Sequence, residues 1–159
     1  MKKKIFKKKN IFLLTIIFFI FFFDRLSKNK ILSDLSDSAF YVNKFLNIDL
    51  IWNTGIGFGL FSFNTPLAYN MISIFIAVII IILFYTCIIS EKLDSLIFSI
   101  IIGGALGNFY DRLVFNAVPD FIDLHYGDFH WFTFNVADIF ITVGIIAFIA
   151  KNYFIKNTI

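Results

Sequence analysis

The chain has 159 residues, of which 59% are hydrophobic, 20% aromatic and only 16% charged, with a net charge of +3. A soluble domain carries about 45–50% apolar and about 25% charged residues, so this composition excludes a water-soluble globule, and the low charge also excludes a disordered chain. One cysteine excludes a disulfide framework and a four-thiolate metal site.

Six of the 14 basic residues stand in Met1–Lys9, and behind them Ile11–Phe23 is apolar except for Thr15. A cleaved leader has this shape. Here, however, Phe23 is followed by Asp24-Arg25-Leu26-Ser27-Lys28 instead of a small-x-small cleavage site, so the segment is read as a retained first span. Leu67–Ile89 is long enough to cross the bilayer, which takes roughly 20 residues for about 30 Å of hydrocarbon. A third run begins at Leu96 and loses its apolar character at Asn108, and a fourth covers Ile139–Ala150. All but the second reach across only by carrying polar residues into the membrane, which is costly and points to function.

The expected architecture is an all-α polytopic membrane protein: four transmembrane helices with a small β-rich extracytoplasmic subdomain at the membrane surface. It forms one integral domain, 1–159, with spans at about 9–32, 67–90, 95–113 and 137–155 and outer segments 33–66 and 114–136. Four spans put nine basic residues on one side (Lys2, Lys3, Lys4, Lys7, Lys8, Lys9, Lys92, Lys151, Lys156) and five on the other (Arg25, Lys28, Lys30, Lys44, Arg112). The positive-inside rule then places both termini in the cytoplasm. In the outer segments, Phe45–Trp52 partly alternates like a half-buried strand, and Asp120–His125 and Phe129–Phe134 flank Tyr126-Gly127-Asp128 as in a hairpin. Trp52, Phe58, Phe61, Phe63, Trp131, Phe132 and Phe134 suit a headgroup-level belt.

At 1.5 Å per helical residue, Asp24 lies about 22 Å, Asn108 about 21 Å and Asp138 about 20 Å above the inner surface, with Asp111 at about 26 Å. Three helices therefore bring polar groups to one level. Asp24 and Lys28 are i,i+4 and pair on one face; Asn108, Asp111 and Arg112 also share a face. Gly103, Gly104 and Gly107 form a small-residue surface for a close neighbour, read as packing rather than chemistry.

Asp120 and Asp138 fall at the same membrane boundary between consecutive helices. Two close carboxylates in a poorly solvated place cannot easily both ionise, so they share a proton, providing a base to activate water and an acid to polarise a carbonyl. Asp123 and Asp128 compete with them for this role, and membrane carboxylates also carry protons or ions. His125 and His130 with Asp123 or Asp128 have ligand chemistry. Their five-residue spacing argues only weakly for a metal, and they are read as interfacial histidines with no metal. Cys87 is read as a small core residue.

In order along the chain, five segments resemble the motifs of lipoprotein signal peptidase (signal peptidase II), an intramembrane aspartic protease family of bacteria. They are Asp24-Arg25-Leu26-Ser27-Lys28; Asn53-Thr54-Gly55-Ile56-Gly57-Phe58-Gly59, with Gly57 where Ala is usual; Gly103 through Arg112; Val118-Pro119-Asp120-Phe121; and Phe134-Asn135-Val136-Ala137-Asp138. The resemblance implies that Asp120 and Asp138 are the catalytic dyad. It further implies that Asn53, Asn108, Arg112 and Asn135 line the site, and that Asp24, Lys28, Asp111 and Gly107 support it. The implied substrate is a diacylglyceryl-modified prolipoprotein cut on the N-terminal side of its lipidated Cys. The expected enzyme is a monomer in the bacterial inner membrane, with its site towards the periplasmic face, surrounded by membrane lipids, without cofactor and without nucleic acid. The competing reading from the residues is a small proton- or ion-coupled transporter subunit; a non-catalytic scaffold packing through Gly103 and Gly107 is a third.

Overall fold

The computed structural model describes residues 8–34, 40–55 and 66–156. These form helices α1 (Lys8–Asp34), α2 (Pro66–Ile89), α3 (Lys92–Phe115) and α4 (Val136–Lys156), and strands β1 (Phe40–Asn43), β2 (Leu46–Asn53), β3 (Val118–Tyr126) and β4 (Phe129–Phe134). All four helices are long and apolar enough to cross a membrane. Phe12, Phe18, Phe22, Ile74, Ile81 and Ile146 point outward and exposed, as a hydrocarbon surround permits.

α3 is the central helix and packs against the other three. Its Ile102 is fully buried, in a core with Leu13 and Ile17 of α1 and Cys87 of α2. Glycines make the close approach possible. A methyl at Gly103 would stand 2.8 Å from Ile20 Cβ on α1, and one at Gly104 would stand 2.5 Å from the Ala137 carbonyl oxygen on α4. The start of α3 is tied to α4 by Lys151 Nζ and Asp94 Oδ1 at 2.6 Å, the carboxylate sitting where a helix N-terminus favours negative charge. At its other end Asn116 adopts φ +55°, a left-handed cap that Asn tolerates better than most residues, and the chain turns into β3.

The strands form one antiparallel sheet in the order β1-β2-β3-β4, so the expected β-rich part is a four-stranded sheet whose first strand had no clear sequence signal. β3 and β4 are joined at Gly127, whose φ of +59° suits a tight hairpin turn. The alternation expected along β2 is broken. Ile48 faces Ile122 while Ile51 faces Asp120, so β2 carries one extra residue at Asp49–Leu50. Because side chains alternate with period two, this bulge flips the rest of the strand. Asn47 shares a face with Asp123, whereas Asn53, paired with Val118, comes to the same face as Asp120. Trp52 packs on Phe115 of α3 with ring centroids 5.6 Å apart, seating the sheet on the helices. Phe58, Phe61, Phe63, residues 56–59 of the second motif and the lysines before Lys8 lie outside the described residues.

Candidate active site

Two polar clusters meet at the ends of α1, α3 and α4. The first is a buried ion cluster between α1 and α3. Lys28 Nζ donates to Asp24 Oδ2 at 2.9 Å, to Asp111 Oδ2 at 2.7 Å and to Asn108 Oδ1 at 2.7 Å, so all three ammonium protons have acceptors. Arg25 Nη1 lies 2.6 Å from Asp111 Oδ1 and Nη2 lies 3.1 Å from Asp24 Oδ2. Two acids and two bases balance where none could remain alone in an apolar surround. Gly107 belongs here because a Cβ at that position would collide with the Asp24 carboxylate. The other Asp24 oxygen, Oδ1, accepts the Ala137 N–H at 3.0 Å, capping an orphan donor in the first turn of α4.

The second cluster holds Asp120, on β3, and Asp138, in the first turn of α4. Asp120 accepts from Asn53 Nδ2 on Oδ2 at 2.8 Å and from Asn135 Nδ2 on Oδ1 at 2.5 Å. Asp138 accepts from Asn108 Nδ2 on Oδ1 at 2.8 Å and from the Asn135 N–H on Oδ2 at 3.2 Å. Each oxygen of both carboxylates therefore has an amide donor.

The three asparagines are aimed by one device. An amide presents its NH2 to a carboxylate only if its oxygen is engaged elsewhere. Asn53 Oδ1 accepts the Gly55 N–H at 2.8 Å, Asn108 Oδ1 accepts from Lys28 at 2.7 Å, and Asn135 Oδ1 accepts the Asp138 N–H at 3.1 Å. Asn108 thereby links the ion cluster to the carboxylate pair.

Asp120 and Asp138 line a common cavity of about 240 Å³ with Asn53, Asn108 and Arg112, closed on the apolar side by Ile141 and Ile145. Burial pushes the Asp120 carboxyl up to about 6, with the negative charge of Asp138 adding to the rise and the hydrogen bonds from Asn53 and Asn135 opposing it. Arg112 makes no bridge to either aspartate. Its Nη2 donates to the Gly55 carbonyl at 2.9 Å and its Nη1 to the Asn108 carbonyl at 3.1 Å, so it braces the turn after β2 against α3. Asp111 and Arg112, adjacent in sequence, point to different partners.

All ten expected site residues thus fall in these two connected clusters. Two further residues belong with them. Arg25 completes the ion cluster and also lies 4.8 Å over the Tyr110 ring; an arginine inside a span needs a partner, a signal already present in its sequence position. Tyr69 of α2 donates from its hydroxyl to the Arg112 carbonyl at 3.1 Å, a contact with no sequence signature. Asp128 lies exposed in the hairpin turn, and Asp123 is buried on the sheet face away from Asp120.

The profile of the family described as Signal peptidase (SPase) II matches residues 16–154. The chain is 49% identical over 153 residues to the lipoprotein signal peptidase of Pelagibacter ubique (strain HTCC1062), covering 94% of this chain and 92% of that protein. It is 51% identical over 112 residues to that of Anaplasma phagocytophilum (strain HZ), covering 69% and 70%. A bacterial membrane enzyme solved by the in meso method at 1.9 Å resolution superposes with a TM-score of 0.77 at 31% identity, covering 95% of this chain and 96% of the other.

Proposed function

Because the chain belongs to the signal peptidase II family, a family of lipoprotein-processing proteases, we propose that it is a membrane-embedded aspartic endopeptidase with Asp120 and Asp138 as its dyad. One observation carries this reading: two carboxylates from separate elements line one cavity, and three pre-aimed asparagine side chains and one backbone N–H occupy all four of their oxygens. The amide donors favour a charged carboxylate, while burial and mutual repulsion oppose charging both. The resting pair then holds one proton between two groups.

A water placed between them loses a proton to the ionised aspartate as it attacks the scissile carbonyl, and the protonated aspartate hydrogen-bonds the carbonyl oxygen. The tetrahedral adduct collapses when the leaving nitrogen takes a proton back from the dyad. Asn53, Asn108 and Asn135 hold the two carboxylates still; Arg112 sets the turn beside them. Asp24, Arg25, Lys28 and Asp111 fix α1 on α3 beneath the site.

The substrate is a diacylglyceryl-modified prolipoprotein, cut on the N-terminal side of the lipidated Cys. An apolar signal helix and a lipid anchor both deliver that bond to a membrane boundary, where the first turn of α4 and the sheet meet. Both termini face the cytoplasm, following the lysine distribution, and the dyad faces outward. The relatives favour this peptidase over a proton- or ion-coupled transporter subunit. Cleavage of a diacylglyceryl-modified precursor by purified wild type beside Asp120→Asn and Asp138→Asn tests it. Both variants are expected to fold in detergent and to lose cleavage; normal processing by either would refute the dyad.

A further inference from the structure

On the sheet face turned away from Asp120 lies a second cluster of ligand-type side chains that the peptidase reaction does not use. Asp123 and His125 are two apart on β3 and so share a face, and His130 of β4 stands directly across from His125 in the strand register. The His130 Nδ1 lies 2.8 Å from Asp123 Oδ2 and the two imidazole rings stack with centroids 5.3 Å apart. One ligand atom from each of the three residues lies within 4.8 Å of the others. Ligands around a tetrahedral ion, with bonds of about 2.0–2.1 Å, stand roughly 3.4 Å apart, so one ion fits after small side-chain movements.

A second observation points the same way. The His125 side chain is only 8% exposed, and its Nδ1, 3.8 Å from Asp123 Oδ2, has no hydrogen-bond partner among the described residues. Buried polar atoms of native proteins are nearly always satisfied, and one that is not calls for a bound water or ion. The adjoining position shows the same deficit: Asn47, paired with Asp123 across β2 and β3, has a buried Oδ1 without a partner. Beside the buried Asp123 carboxylate, two buried polar atoms, His125 Nδ1 and Asn47 Oδ1, thus lack a partner among the described residues.

We propose that Asp123, His125 and His130 bind one divalent transition-metal ion of the zinc type. Two imidazoles and a carboxylate suit such an ion better than calcium or magnesium, which prefer all-oxygen sets. The ion ties β3 to β4 across the hairpin and leaves a fourth position for water or the Asn47 oxygen. Its place opposite Asp120 makes it a structural clasp on the strand that carries the aspartate, separate from the reaction. This reading is independent of the peptidase assignment and departs from the expectation of two interfacial histidines with no metal.

The test uses untagged full-length protein in detergent, stripped with chelator and titrated with Zn2+ against a chromophoric competitor, then with Co2+ followed by visible absorption. Wild type is expected to take up one equivalent per chain at micromolar affinity or tighter, to give the intense d–d bands of a four-coordinate Co2+ site, and to gain thermal stability with Zn2+. Asp123→Asn and His125→Ala are expected to weaken binding at least tenfold. His130→Ala, at a side chain that is 58% exposed, is expected to fold like wild type without metal and to lose the Zn2+-dependent gain. Absence of stoichiometric uptake by wild type, or equal affinity in wild type and His130→Ala, would overturn the proposal.

Discussion

Asn135 and Asp138 hold each other reciprocally: the Asp138 N–H donates to Asn135 Oδ1 at 3.1 Å, and the Asn135 N–H donates to Asp138 Oδ2 at 3.2 Å. This is a capping box at the start of α4, with Asn as the cap and Asp three residues on. The proposed catalytic aspartate is thus also a helix-capping residue, its rotamer set by the backbone of its own helix. The same asparagine reaches Asp120 at 2.5 Å, so one side chain positions both carboxylates.

Asn135→Ala is therefore expected to act twice. Losing the cap costs about 1 kcal/mol of stability. Losing a hydrogen bond to a charged group costs about 1.5–3 kcal/mol in the site, roughly 10–100-fold in kcat. Thermal unfolding in detergent and precursor cleavage measure the two separately. A kcat within twofold of wild type would mean that Asp120 does not depend on this contact.

The raised Asp120 carboxyl predicts a pH-dependent stability. Its value of about 6 in the folded chain exceeds the ordinary 3.8, so the folded protein binds the proton more tightly than the unfolded chain does. This group's relative contribution is best below about pH 4 and is lost as pH rises through about 6, on the order of 3 kcal/mol in all. Wild type is expected to melt higher at pH 5 than at pH 8, and Asp120→Asn to show a smaller difference. Equal pH dependence in the two proteins would place the cause elsewhere.

Lys28→Met leaves Asp24, Asp111 and Arg25 with an unbalanced buried charge, for which about 3–5 kcal/mol of destabilisation is expected. It also frees Asn108 Oδ1, the group that makes Asn108 turn its NH2 to Asp138. Asp111→Asn keeps Lys28 on Asn108 and serves as the comparison. If Lys28 positions Asn108, kcat falls more in Lys28→Met than in Asp111→Asn at matched folded fractions. Equal losses would reduce Lys28 to a packing role.

The glycines of the helix interfaces are expected to rank by what a new methyl meets. At Gly104 the obstacle is the Ala137 carbonyl, backbone that cannot swing aside, and at Gly107 it is the Asp24 carboxylate, locked in the ion cluster. At Gly144 it is Cγ1 of Ile101, a side-chain atom that a χ1 change can move, whereas backbone cannot. Gly104→Ala and Gly107→Ala are expected to cost about 1–3 kcal/mol or more, and Gly144→Ala less. Melting temperatures of the three variants in one detergent give the order directly.

Much was legible in the sequence because membrane burial makes polar residues conspicuous. Four runs bounded by charge mark the helices, and Asp24, Lys28, Asn108, Asp111 and Asp138 stand out because hydrocarbon tolerates them only with partners. Counting residues from the helix ends placed Asp24, Asn108 and Asp138 at one level, and the structure joins them through Lys28 and Asn108. The hairpin at Gly127 was readable from local turn chemistry. Strand β1 was not, since its four residues are exposed and carry no alternation.

What the chain determines by itself is how many apolar helices it can form and which polar residues they must hide. Spacing along a helix cannot say which oxygen meets which donor. That was decided by tertiary structure: the bulge in β2 that turns Asn53 to the Asp120 face, the Lys28 ammonium that orients Asn108, and the capping box that fixes Asp138. Each depends on groups between 3 and 80 residues apart meeting at hydrogen-bond distance. The same bulge places Asn47 with Asp123 on the opposite face. Because side chains alternate strictly between the two faces of a sheet, the odd spacing of Asp120 and Asp123 along β3 sets the carboxylate pair and the histidine cluster on opposite faces, and the extra residue in β2 supplies one asparagine to each.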